Sequence, residues 1–148
     1  MNFSSAQLMT FGGKDSVVFT AGKEVLCLDP ADGSIRWRYT PQGWSAAPMI
    51  QPQQIDADSL IVALGDGIGT ARLQVNTTSE AWTVREQWNA RHLKPAFNDF
   101  VLCKGFLFGF DQNIFTCVDA ETGQRRWKKG RFGFGQTILF EEQGIALI

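Results

Sequence analysis

The chain has 148 residues, 44% apolar and 12% aromatic, which supplies a core for one domain and excludes a disordered segment. A formal net charge of −1 excludes a global field that would gather nucleic acid or an anionic membrane. No run of about 18 apolar residues occurs, so no transmembrane helix and no membrane insertion are expected.

Short segments rich in Val, Leu, Ile and aromatics follow one another, separated by turn residues. The first predicted strand is 7–11, followed by 16–21, 24–29 and 34–40, which are divided by Gly-Lys and Pro-Ala-Asp-Gly. A second set comprises 46–50, 60–65, 71–76 and 82–88. The third comprises 98–104, 106–111, 114–119 and 124–129. Segments 136–140 and 144–148 begin a fourth. No segment sustains a 3.6-residue period, so essentially no helix is expected.

One stretch occurs twice. Residues 27–37 read C-L-D-P-A-D-G-S-I-R-W and residues 117–127 read C-V-D-A-E-T-G-Q-R-R-W. Cys, Asp, Gly, Arg and Trp recur at matched places (Cys27/Cys117, Asp29/Asp119, Gly33/Gly123, Arg36/Arg126, Trp37/Trp127). Their offset of 90 residues fits two units of about 45, the period of propeller repeats. A degraded middle copy ends in Trp88, with the extra length expected mainly in the loop before it, P-Q-Q-I-D-A-D-S. Gly43 and Gly133 follow their tryptophans at equal distance, and Trp44 and Phe134 come next as matched aromatics.

The expected fold is all-β: a β-propeller of four-stranded antiparallel blades, at approximately 5–40, 46–88 and 98–130, with a partial blade at 136–148 in a single segment 1–148. Both faces of 24–29 and 60–64 are apolar, as in a strand sandwiched between blades. The last strand of each set is more polar, as an outer edge should be (Arg36 and Arg38, Arg85 and Gln87, Arg126 and Lys128). In the motif, Asp29 and Asp119 are expected to cap turn amides. Gly33 and Gly123 supply positive φ. Trp37, Trp88 and Trp127 are expected to staple one blade to the next. An unclosed array leaves raw edges, so the chain is expected to be a fragment or part of a larger ring, with self-association as a further option.

The motif resembles the tryptophan-docking repeat of pyrroloquinoline-quinone-type (PQQ-like) β-propellers, a group holding quinoprotein alcohol dehydrogenases and outer-membrane assembly lipoproteins. The stretch L-K-P-A-F-N-D-F-V-L-C-K-G-F-L-F-G-F-D at 93–111 is similar to connectors and inner strands in such proteins. The resemblance implies seven or eight blades in a complete ring. It also implies a bacterial periplasmic or extracytoplasmic place if the N-terminus is truncated; M-N-F-S-S-A-Q-L-M-T lacks the basic start and apolar stretch of a signal peptide, so the alternatives are a cytosolic protein or a start upstream of Met1. For a dehydrogenase it implies calcium on carboxylate and amide oxygens, an aspartate base, an aromatic floor under the quinone and often adjacent cysteines. Here no Cys-Cys pair occurs; Asn98 and Asp99 would supply the amide and the carboxylate at the start of an inner strand, and Trp44 or Phe134 the floor.

No catalytic residue and no metal site is assigned from the sequence, and no cofactor is expected, with pyrroloquinoline quinone and calcium as the alternative. The single histidine, His92, lies in the connector R-H-L-K, which is expected to be exposed. Three cysteines without C-x-x-C imply no disulfide framework. G-D-G-I-G at 65–69 joins two strands and reads as a hairpin rather than a phosphate loop. R-R-W-K-K-G-R at 125–131 interleaves cations with an aromatic, but it falls on an outer strand whose tryptophan the repeat already uses, so no nucleic acid is expected. The favoured reading is a non-catalytic module that binds a protein or peptide through its loops. The connectors into the inner strands offer Trp44, Arg91, Lys94, Phe97, Asn98, Asp99, Arg131 and Phe134. The turns between second and third strands add Lys23, Asp66, Asp111, Gln112 and Asn113.

Overall fold

The computed structural model describes residues 4–43, 50–65, 67–78 and 81–148. Trp44, Asp66 and most of the expected strand at 46–50 lie outside the described residues. Strands β1 (Gln7–Phe11), β2 (Lys14–Ala21), β3 (Glu24–Leu28) and β4 (Ile35–Tyr39) make the first sheet. The second holds β5 (Gln53–Gln54), β6 (Ser59–Ala63), β7 (Thr70–Thr77) and β8 (Trp82–Ala90). The third holds β9 (Val101–Cys103), β10 (Phe106–Asp111), β11 (Ile114–Asp119) and β12 (Arg125–Lys129). A two-stranded sheet, β13 (Ile138–Phe140) and β14 (Ile145–Leu147), follows. Each sheet runs in chain order with antiparallel neighbours, and the described residues contain no helix. Three four-stranded blades and half of a fourth make an unclosed propeller, as the repeat predicts.

The first strand of the second blade is β5, which pairs with Leu60 and Ile61. The two glutamines do their work with side chains as well as backbone. Gln54 accepts from the Thr10 amide at 3.1 Å and donates to the Thr10 carbonyl at 2.7 Å, which ties β5 to β1 of the first blade. Gln53 donates to the Phe100 carbonyl at 2.8 Å, which reaches the third blade.

Every residue of β6 is buried, because a blade lies against each of its faces. On one side Leu60, Val62, Leu73 and Val75 meet Phe11, Val18, Val25, Cys27 and Trp37 of the first blade. On the other, Ile61 and Ala63 meet Leu93, Phe100, Leu107 and Val118. Alternation therefore disappears in the central blade, as burial on both faces demands.

The middle unit is stretched in two places. Cys27 pairs with Trp37, and Cys117 with Trp127, each just before a β-bulge. Arg72 pairs with Trp88 before the corresponding bulge, so Arg72 takes the place of the cysteine. The β7–β8 hairpin is six residues longer than its counterparts, and a further six are spread over the whole stretch from Trp37 to Arg72, compared with that from Trp88 to Cys117. The expectation that the loop alone absorbs most of the extra length is thus corrected. The long hairpin reaches back over the first blade: Trp82 lies over the Arg36 guanidinium at 4.5 Å, a cation–π contact. Thr77 packs on Gly12, where an added Cβ would lie 2.2 Å from the threonine Oγ1.

Candidate binding surface

The repeated motif closes its own hairpins. Asp29 accepts from the Ala31 amide at 2.9 Å, and Asp119 accepts from Glu121 and Thr122 at 3.0 and 2.9 Å, so both carboxylates cap their turns as expected. The recurrent arginine has a role that the spacing alone did not assign. Arg36 donates to Asp29 at 2.6 Å and Arg126 to Asp119 at 2.7 Å, closing each hairpin across its base. The Arg126 hydrogen bond, with the turn amides, holds the Asp119 carboxyl down at about 2. Asp29 is lowered as well, first by the Ala31 amide and then by Arg36.

Gly33 and Gly123 take φ of +74° and +71°, as the turn requires. Gly123 has a second function. A Cβ there would lie 2.7 Å from the Trp88 ring, so the tryptophan of the second blade seats on the bare backbone of the third. Arg72, buried beside it, donates to the Ala120 carbonyl at 3.2 Å and to Glu121, and pairs with Asp56 at 3.0 Å. Trp37 is buried to 4% in the joint between the first two blades. Trp127 is 42% exposed and touches only Phe108 and Phe115 of its own blade among the described aromatic pairs.

Loops at one end of the third blade gather several of the predicted surface residues. Lys94, Phe97 and Phe134 line a groove of about 430 Å³ with Ala96, Gln112 and Asn113. The two phenylalanines are 66% and 70% exposed. The groove exists because a two-residue turn, with Gln112 at φ +60°, brings β10 back along β11 beside the Lys94 connector. Asp111 is buried at the back of this turn. Lys128 donates to its Oδ2 at 2.5 Å, and Lys94 Nζ lies 3.3 Å from Oδ1 without hydrogen-bond geometry. Asp111 is therefore a support for the loop rather than a contact residue.

The other predicted residues separate. Arg91 lines a different groove, of about 710 Å³, with Tyr39, Gln42, Ile68 and Glu86, between the first and second blades. Arg131 is exposed beside the outer strand β12. Asp99 is half-buried. Asn98 is buried, with its Oδ1 accepting from the Ala96 amide at 3.2 Å. It cannot face a partner, because a short polar side chain next to a turn satisfies the local backbone first. His92 is exposed, Cys27 and Cys117 are buried, and Cys103 is half-buried, all three thiols being free. Burial pushes the Cys27 thiol up to about 11.

The calcium and quinone that quinoprotein dehydrogenases use would draw on Asn98 and Asp99 here. The Asn98 oxygen is spent on the Ala96 amide, and its Nδ2 is buried without a partner. Among the described residues no three His, Cys, Asp or Glu side chains converge as a hard cation requires. The residues described do not fit that group, and no step through it is derived.

The family model described as outer membrane protein assembly factor BamB, a PQQ-like type, matches residues 3–131. The chain belongs to this family. Among solved structures, this PQQ-like propeller is similar to a europium-containing methanol dehydrogenase, at TM-score 0.59 and 14% identity over 97% of this chain and 38% of that one. It is also similar to BamB from Moraxella catarrhalis, at TM-score 0.41 and 14% identity over 86% of this chain and 52% of that one. The chain thus spans 38% and 52% of the lengths of these two proteins. At such identity the dehydrogenase likeness speaks for the fold alone. No curated protein sequence matches the chain significantly.

Proposed function

We propose that this PQQ-like propeller segment is a non-catalytic module that holds an extended segment of a protein partner in the groove between Phe97 and Phe134, in an extracytoplasmic compartment. One observation carries the reading: two strongly exposed phenylalanines line a groove whose other residues are Lys94, Ala96, Gln112 and Asn113. Aromatic anchors with adaptable polar neighbours suit a peptide chain, whose apolar side chains need a platform and whose backbone needs donors and acceptors. The family description, an assembly factor for outer membrane proteins, supports both the class of partner and the compartment.

The test is an array of short extended peptides probed with the chain and with its Phe97→Ser/Phe134→Ser variant. The expected result is retention of aromatic-bearing peptides by the parent chain and a loss of at least about tenfold, or about 1.4 kcal/mol, in the variant at an unchanged melting temperature. Equal retention by both would sink the reading. The alternative, part of a dehydrogenase dependent on pyrroloquinoline quinone and calcium, has the fold likeness behind it. Titrating both with no change in fluorescence or melting would count against it.

A further inference from the structure

We propose that the Phe97–Phe134 groove selects a partner segment with an acidic side chain two residues from its apolar anchor, and that Lys94 sets this preference. The inference rests on the peptide-binding reading of the same groove and names the chemistry of its occupant. The groove is built in advance. Gly135, next to Phe134, packs on the buried Phe110 ring, where an added Cβ would lie 3.1 Å from a ring carbon. The Gln136 amide reaches the Phe97 carbonyl at 3.5 Å, so the two connectors that carry the phenylalanines are tied to one another.

The charge of the groove is unbalanced. Among the described residues that line it, Lys94 alone is charged. Its counter-charge is Asp111, buried behind the turn, and that carboxylate is shared. Lys128 donates to Oδ2 at 2.5 Å, whereas the Lys94 ammonium lies 3.3 Å from Oδ1 without hydrogen-bond geometry. Two ammoniums against one carboxylate leave one positive charge uncompensated. Lys128 holds the better geometry, so the excess belongs to Lys94, whose three N–H donors are not spent on Asp111. A carboxylate on the occupant would supply the missing charge at a half-buried ammonium, where screening by water is reduced. In an extended segment, side chains two apart point the same way at about 7 Å separation, so anchor and acid enter one groove together.

The probes are two eight-residue peptides, acetylated and amidated at their ends, that share one phenylalanine and differ only two residues beyond it, with Glu in one and Gln in the other. Titrated into the full chain, the Glu peptide is expected to bind about three- to tenfold more tightly, the range between an exposed ion pair and a charge-assisted hydrogen bond. The preference should shrink as salt is raised. It should vanish in Lys94→Met and persist in Lys94→Arg. Each ratio is taken within one variant, so partial loss of folding lowers both affinities and cannot imitate the result. Equal binding of the two peptides by the parent chain would overturn the inference and leave the groove reading standing. A preference that survives Lys94→Met would overturn it as well. Failure of both peptides to bind, or binding unchanged by Phe97→Ser/Phe134→Ser, would overturn the groove reading and the inference together. A third peptide, ending in that phenylalanine with a free carboxylate and no Glu, should bind no better than the Gln peptide. Tighter binding than the Glu peptide would assign the charge to a chain end and overturn the side-chain source.

Discussion

The two copies of the eleven-residue motif are alike in sequence and opposite in circumstance. In the first, Trp37 is buried and Gly33 is exposed, with nothing within 4 Å of where a Cβ would stand. In the second, Trp127 is exposed and Gly123 is buried beneath Trp88. Each motif is one socket and one plug, and each copy has engaged only one of them. The energetic value of a residue here is therefore set by which neighbour stands beside the blade. The same tryptophan or glycine is packed against a neighbouring blade in one copy and faces open space in the other.

That contrast can be broken most strongly at the tryptophans. Trp37→Ala should lower stability by about 3–5 kcal/mol, the cost of emptying a buried aromatic site. Trp127→Ala should cost less than about 1 kcal/mol, as for a mostly solvated position. Urea unfolding of the two variants checks both, and equal losses would dissolve the distinction. At the glycines the order reverses. Gly33→Ala meets only the left-handed backbone and should cost about 1–2 kcal/mol. Gly123→Ala adds a Cβ at 2.7 Å from the Trp88 ring, so it should cost clearly more by the same measurement.

A smaller effect belongs to the carboxylates. Asp119 has a folded pKa of about 2, below its unfolded value of about 3.9. Its contribution is thus fully present above the unfolded value and is lost as pH falls from there through about 2. Asp119→Asn should flatten the acid limb of a melting-temperature profile between about pH 4 and 2, with little change in slope above pH 5. Smallest is a reactivity difference. Cys27, with its pKa at about 11, should resist a thiol reagent at neutral pH in the folded chain and react in urea. Rapid native labelling of Cys27 would show that the joint over it opens.

The strand order was legible because the motif announces it; of the three tryptophans expected to staple blades, Trp37 and Trp88 are packed in joints and Trp127 is exposed. Cys, Asp, Gly and Trp at fixed offsets identify a hairpin, and the hairpins count the blades. Arg72 was not legible. Counting ten residues back from Trp88 reaches Thr78, beyond the end of β7, because the hairpin is six residues longer than in the other blades. Only the register shows that an arginine stands where the other blades carry a cysteine. A signal was present in the unusual length of the alternating stretch 70–77. At the loop face, Lys94, Phe97 and Phe134 converge as the connector pattern suggested. Asn98 does not, since it is buried with its oxygen on the Ala96 amide, and composition cannot distinguish an amide that serves the backbone from one that stands at the surface.

The long β7–β8 hairpin gives the repeat array an address. Units that share one motif are open to docking out of order, and misassembly between like repeats is a characteristic failure of such proteins. Here the middle unit clasps the first blade through Trp82 and Thr77 and grips the third through Arg72. Those contacts use residues that the two neighbouring units lack, so exchanging the blades would strand a buried guanidinium and leave the clasp with nothing to hold. The departure from repetition is what makes the sequence of blades in space follow the sequence along the chain.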